Sequence, residues 1–213
     1  MTEAAQPNAL VYLVDDDEAI RDSLGFLFRS RRLAVKEFDS GEALLAALPL
    51  QPLGCIVMDM RMDGLSGLET FDRLKAAGTA LPVIFLTGHG DVPVAVEALK
   101  KGAADFVEKP FNDNQLVDTV LDCLERCSVE QREAAVRDEL SGRLKGLSAR
   151  EIDVMNRMLE GRLNKQIADD LSISMRTVEV HRARVLEKMG ARNAVELAGA
   201  LKAAGVSPTR RDG

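Results

Sequence analysis

Short apolar runs alternate with amphipathic stretches through roughly the first 125 residues. The runs at 10–14 (LVYLV), 34–38, 55–58 (CIVM), 82–86 (PVIFL) and 105–107 are bounded by charged or turn-forming positions, which predicts strands. Between them, segments near 17–30, 40–48, 66–77 and 92–101 repeat apolar side chains at helical spacing, and a further one opens at about Asn112. Five strands in strict alternation with five helices predict an α/β fold, a doubly wound five-stranded parallel sheet with helices on both faces. Ligands in such a sheet sit beyond the carboxyl ends of the strands, where strand order reverses, so the chemistry is sought there.

Beyond Gln115 there is no Pro until after residue 144, and Leu116, Val120, Leu124, Cys127, Val136, Leu140 and Leu144 recur at helical multiples with only Gly142 interrupting. The last helix is therefore expected to run on as a long connector. Its charged middle, 130–139, marks the linker, with a dimerising coiled segment as an option. Ser148-x-x-Glu151 then forms a capping box ahead of Ile152, Met155 and Leu159, and Gly161 stops that helix. Asn164 is expected to cap a short helix over 165–171. The turn Ser172-Ile173-Ser174 leads into a third helix that ends between Met189 and Gly190, and a fourth covers about 193–204. A short helix, a tight turn and a longer helix make a helix-turn-helix pattern. The expected organisation is a first domain at 1–127, a helical linker at 128–146, a small all-α four-helix domain at 147–205 and a disordered tail at 206–213.

Length agrees with that division, since 213 residues exceed one ordinary domain of about 150 residues but fall short of two. With 46% hydrophobic and 29% charged residues the chain can bury a core. No apolar run reaches the length of about 18 residues that spans a bilayer, and the N-terminus lacks the pattern of a secretory signal, so no membrane and a cytoplasmic location are expected. Three Cys and two His are too few and too scattered for a zinc site or a disulfide framework, and Cys123 and Cys127 are expected to be reduced. Charge is uneven. Residues 1–125 carry 11 Lys and Arg against 21 Asp and Glu, the remainder 17 against 13, so an acidic half precedes a mildly basic half suited to a polyanion.

The acidic excess has a focus. Asp15, Asp16 and Asp17 follow the first strand and Asp59 follows the third. In strand order 2-1-3-4-5 those strands are neighbours, so Asp15, Asp16 and Asp59 meet at one rim, where their repulsion demands a cation or a raised pKa. An all-oxygen donor set suits a hard ion such as Mg2+. Thr87 ends the fourth strand and Lys109, followed by Pro110, lies just past the fifth. Carboxylate, metal, hydroxyl and lysine together make a site that can receive a phosphoryl group. Asp17 alone reads as a helix cap. A metal-dependent phosphotransferase acting on a small substrate is the rival reading, but Met60, Arg61 and Met62 intervene before the next carboxylate, Asp63, and no P-loop is present.

The stretches VDDD at 14–17, MDMRMDGLSG at 58–67, FLTGHGD at 85–91 and DFVEKPF at 105–111 resemble the receiver domain of two-component response regulators of the FixJ-like subgroup. The resemblance implies that Asp59 accepts a phosphoryl group from a sensor histidine kinase. It implies also that Asp15, Asp16, Asp59 and the Arg61 carbonyl hold Mg2+, that Thr87 and Lys109 contact the phosphoryl group, and that Phe106 is the aromatic switch residue. A cis Lys109-Pro110 bond is expected with it. Asp63 departs from the family, which usually has Pro there; it adds a charge and removes a backbone restraint beside the expected cation.

In the second domain, a wheel of about 100° per residue puts Val178, Val185 and Met189 within about 20° of one line, with His181 on the shoulder. Opposite lie Arg176, Val180, Ala183, Arg184 and Glu187, flanked by Glu179, a mixture suited to base edges in a major groove. The stretches LSAREIDVM, GRLNKQIADDLSIS and RTVEVHRARVLEKMGARN resemble the LuxR-type helix-turn-helix. That resemblance turns Glu179, Val180 and Ala183 toward the groove and makes Lys165, Thr177 and Arg182 candidate phosphate contacts. It makes the fourth helix, with Val195, Leu197 and Leu201, a dimer face, although these residues could equally complete a small core. His181 is read as a packing residue. The joint expectation is a regulator whose phosphorylation drives homodimerisation and binding to double-stranded promoter DNA, acting with RNA polymerase as an activator. Its only chemistry is Mg2+-dependent self-phosphorylation and dephosphorylation. Protein or RNA as the target of the small domain is the remaining alternative.

Overall fold

The computed structural model describes residues 9–88 and 92–207, and the side chains of 92 and 93 are left aside. His89, Gly90 and Asp91 of the 85–91 stretch, and the tail from Pro208 onward, lie outside the described residues. The first half runs β1 (Leu10–Val14), α1 (Glu18–Ser30), β2 (Ala34–Phe38), α2 (Gly41–Ala46), β3 (Gly54–Asp59), α3 (Gly67–Ala76), β4 (Val83–Thr87), α4 (Val92–Lys100) and β5 (Asp105–Glu108), and α5 (Asp113–Lys145) follows. The strands pair in parallel in the order β2-β1-β3-β4-β5, as expected.

Strand alternation sorts the apolar side chains into two layers. Val11, Leu13, Val57, Ile84 and Leu86 pack with Leu24 and Phe28 of α1 and Leu116, Val120 and Leu124 of α5. Tyr12, Val14, Ile56, Met58 and Phe85 face the other way, onto Phe71 and Leu74 of α3 and Ala95 and Ala98 of α4. Every residue of β3 and β4 is buried, so the two strands that carry Asp59 and Thr87 are the most firmly seated in the sheet.

Caps fix where the helices begin. Asp17 caps α1 by accepting from the N–H groups of Ala19 (2.8 Å) and Ile20 (3.4 Å), the role read from sequence. Ser66 and Glu69 form a capping box at α3. Gly67 opens that helix so close to the preceding strand that a Cβ there would lie 2.3 Å from the Asp59 carbonyl oxygen and 3.1 Å from the Phe85 ring. Only glycine lets α3 start against the backbone of Asp59.

The chain divides into two compact units between Gln131 and Arg132, within α5. The second unit contains α6 (Ala149–Leu159), α7 (Asn164–Leu171), α8 (Met175–Met189) and α9 (Ala194–Ala203) around Leu140, Val154, Met155, Ile167, Leu171, Val178, Val185 and Met189. Ser172 takes the left-handed conformation that ends α7, and Gly190 does the same for α8. Asn164 is not the cap of α7. It is the first helical residue, and the cap position falls on Leu163, whose N–H donates to Gln166 Oε1 at 2.9 Å. Leu197 and Leu201 are buried in the core, and only Val195 of the three apolar α9 residues is exposed, at 83%. No described helix is long and apolar enough to cross a membrane.

The capping box at α6 has a second function. Ser148 N–H donates to Glu151 Oε2 at 2.8 Å, and Lys188 Nζ of α8 reaches the same oxygen at 2.7 Å. Burial works to raise the Glu151 pKa, but the hydrogen bonds from Lys188 and Ser148 outweigh it and hold the carboxyl at about 2. A depressed carboxyl contributes stability above its unfolded pKa and loses it as pH falls toward the folded value. Glu151→Gln is therefore expected to destabilise the second unit by about 1–2 kcal/mol near neutral pH, less than a fully buried pair because Lys188 stays partly solvated. In thermal melts the difference from wild type should shrink as pH is lowered from about 5 toward 2. Gly67→Ala is expected to cost about 1–3 kcal/mol, read by denaturant unfolding, because a backbone carbonyl has to move.

Candidate functional site

Strand order brings the predicted acidic residues to one rim. Asp15 follows β1 and is buried, Asp16 beside it is exposed, and Asp59 is the last residue of β3 at 9% exposure. One carboxylate oxygen from each lies within 4.8 Å of the others. Lys109, just past β5, donates to Asp59 Oδ1 at 2.7 Å and to Asp15 Oδ2 at 3.3 Å. Its own N–H donates to the Thr87 carbonyl at 2.7 Å, which ties the lysine to the end of β4. The Lys109-Pro110 bond is cis, as expected, and so is Leu48-Pro49.

The electrostatics follow from that packing. Burial pushes the Asp15 carboxyl above its ordinary pKa, and nearby Asp59 adds to the rise, against the pull of the Asp17 N–H and of Lys109. For Lys109, burial disfavours the charge, but hydrogen bonds and charge from Asp59 and Asp15 outweigh it and hold the ammonium above the usual lysine value. The lysine is a fixed positive charge among carboxylates.

Hydrogen bonds from flanking segments shape the rim. Arg61 N–H donates to Asp59 Oδ2 at 3.2 Å. Asp63 N–H donates to Asp16 Oδ2 at 2.8 Å, a bond that proline could not make. The backbone restraint expected to be lost at this position is thus replaced by a tie to a carboxylate of the cluster. Arg21 of α1 donates through Nη1 to the carbonyls of Asp15 (2.8 Å) and Asp16 (2.9 Å), clamping the loop that carries both. Sequence reasoning missed Arg21. Its only signal was a basic side chain on the first turns of the helix that follows the acidic run.

Thr87 is fully buried, and its hydroxyl makes a long contact, 3.4 Å, with the Gly88 carbonyl. Phe106 lies across from Phe85 on β5, partly buried against the core layer that contains Met58 and Phe71. All three cysteines are free and buried, and burial raises the thiol pKa of Cys55 and of Cys123, with Arg126 pulling Cys123 back only in part.

In the second unit, Val178, Val185 and Met189 are buried, as the wheel predicts. Arg176, Glu179, Val180, Ala183 and Arg184 of α8 and Lys165 of α7 are exposed, while Thr177 and Arg182 are half-buried. Ser174 caps α8 by accepting from the Thr177 N–H at 3.1 Å, and the two hydroxyls lie 2.8 Å apart.

Residues 11–121 match the family model of the response regulator receiver domain, and residues 145–200 match that of the bacterial regulatory proteins of the luxR family. The chain is 55% identical over 190 residues to the C4-dicarboxylate transport transcriptional regulatory protein DctR of Rhodobacter capsulatus, covering 88% of this chain and 96% of that protein. It is 49% identical over 199 residues to the transcriptional regulatory protein FixJ of Azorhizobium caulinodans, covering 93% and 94%. Among solved structures, response regulator StyR superposes with a TM-score of 0.84 at 35% identity over 91% of this chain and 98% of that one. Full-length FixJ from B. japonicum gives 0.61 at 43% identity over 94% and 98%. With an acidic rim at the ends of β1 and β3 in one unit and a helix-turn-helix in the other, the chain belongs to the two-component response regulators that join a receiver domain to a LuxR-type DNA-binding domain and regulate transcription.

Proposed function

We propose that Asp59 is the phosphoacceptor and that its phosphorylation by a sensor histidine kinase turns on pairing and DNA binding. The observation that carries this reading is the convergence of three carboxylates within 4.8 Å with Lys109 Nζ 2.7 Å from Asp59 Oδ1. Hard oxygen donors without His or Cys fit Mg2+, with Asp15, Asp16, Asp59 and the Arg61 carbonyl as its holders. Bound there, the ion supplies positive charge to the oxygens of the transferred group. An Asp59 carboxylate oxygen attacks phosphorus, the bond to the donor nitrogen of the kinase histidine breaks, and an acyl phosphate forms. Lys109 shifts from the Asp59 carboxylate toward the new oxygens, and the Thr87 hydroxyl turns to them.

Phosphorylation adds about −1.5 to −2 charges to a rim already rich in carboxylate, so the groups that offset it are drawn inward. Because Lys109 is hydrogen-bonded to the Thr87 carbonyl, β4 and β5 move as a pair and the change reaches Phe106 and the surface over 92–107. Val94, Val96 and Leu99 of α4 are exposed apolar residues on that surface, available for pairing two receivers. Pairing raises the effective concentration of two DNA-binding units on a two-fold site.

On DNA, Arg176, Glu179, Val180, Ala183 and Arg184 face the major groove, while Lys165, Thr177 and Arg182 contact phosphates. The bound dimer acts in the cytoplasm as an activator that engages RNA polymerase, with no catalytic activity beyond the gain and loss of its own phosphoryl group. Domain limits of 1–127, 128–146 and 147–205 accompany this reading.

With Mg2+ and acetyl phosphate, wild type is expected to gain the mass of one phosphoryl group and Asp59→Asn to gain none; undiminished uptake by the variant places the acceptor elsewhere. In selection from random duplexes, Val180→Lys is expected to change the preferred sequence, and an unchanged preference contradicts the groove-facing assignment.

A further inference from the structure

The two nitrogens of His181 are in unequal surroundings. The residue is half-buried on α8, and its Nδ1 is buried without a hydrogen-bond partner. Nε2 is not among the buried unpartnered atoms, and the ring makes no hydrogen bond to the described residues, so the Nε2 edge is the part that reaches the surface. A neutral imidazole has one N–H and one bare nitrogen. A buried N–H without an acceptor loses the full hydration of a donor, so the proton belongs on Nε2 and the bare lone pair on Nδ1. The tautomer is thereby set by packing, and a single N–H donor is presented outward.

The place where it emerges decides what it meets. On the wheel His181 lies one turn after Thr177 and about 60° from Arg184, along one edge of the outward face of α8, beside the groove-facing Val180 rather than within that face. An element in the major groove puts its face against base edges and its flanks against the backbone walls. Lys188, the next residue along that edge, is held by Glu151 and by the Gly146 carbonyl, which leaves the stretch from Thr177 to Arg184 to meet one strand. We infer that His181 is a phosphate-contacting residue, donating through Nε2–H to a phosphodiester oxygen, rather than a packing residue only. The inference rests on the DNA-binding reading of the second unit and adds to it a histidine contact.

Binding is measured with the full chain, phosphorylated with Mg2+ and acetyl phosphate, on a mixed-sequence duplex and on a duplex recovered by selection. His181→Leu is expected to weaken both by about tenfold. His181→Gln, whose amide nitrogen can occupy the Nε2 position, is expected to stay within about twofold of wild type. Long-range 15N correlation of the ring in the free protein is expected to show the proton on Nε2. The inference is overturned by a proton on Nδ1, by wild-type affinity in His181→Leu, or by a loss confined to the selected duplex, which marks a base contact. Equal losses in both variants with lowered melting temperatures assign the residue to packing. Failure of the wild type to bind either duplex overturns the DNA reading itself, an outcome separate from the others.

Discussion

Repulsion among carboxylates at the ends of two adjacent strands is the constraint on which the rest of the molecule depends. Asp15 and Asp59 are both buried, and the side chain positioned to offset them is Lys109, which arrives from a third strand end. The sheet order β2-β1-β3-β4-β5 makes that meeting possible, since it sets β1 beside β3 and carries β5 to within reach across β4. Fully buried β3 and β4 keep the rim from relaxing outward. Burial raises the Asp15 carboxyl, with a smaller contribution from the Asp59 charge. A site in that condition gains most from a divalent cation and responds strongly to any further negative charge, which are the two properties a phosphorylation switch needs.

Around the rim, the loops are restrained by backbone rather than by more charge. Arg21 grips two carbonyls, Asp63 offers an N–H to Asp16, and Gly67 brings the start of α3 against the Asp59 carbonyl. These contacts hold the backbone that carries the three carboxylates, and the Asp63 N–H fixes one oxygen of Asp16. The second unit applies a related device to a different end. Glu151 joins the cap of α6 to α8 through Lys188, so the helix proposed to enter the groove is anchored to the start of its own domain.

Most of the architecture was legible because periodicity reports burial. The five strands, the flanking helices, the caps at Asp17 and Ser148 and the buried stripe Val178, Val185 and Met189 follow from residue pattern and spacing. Asp15, Asp16, Asp59 and Lys109 could be placed together because a parallel sheet collects strand ends on one side. What escaped were contacts between residues distant in sequence or made by backbone. The Glu151–Lys188 pair bridges two helices, Arg21 bonds carbonyls rather than a carboxylate, and the Asp63 N–H carries no side-chain signature. Asn164 was misread because a good capping residue stood next to a cap position occupied by Leu163. Leu197 and Leu201 could not be assigned to core or interface from spacing, since both demand the same apolar stripe; three-dimensional packing puts them in the core.

Thermal unfolding of the receiver half with and without Mg2+ tests the charge-balance account most directly. If the carboxylates repel until a cation joins them, Mg2+ in the millimolar range raises the melting temperature of wild type. Asp16→Asn, relieved of one charge, then melts higher than wild type without Mg2+ and gains little from its addition. A wild-type melting temperature indifferent to Mg2+, or an Asp16→Asn variant that gains as much as wild type, contradicts it.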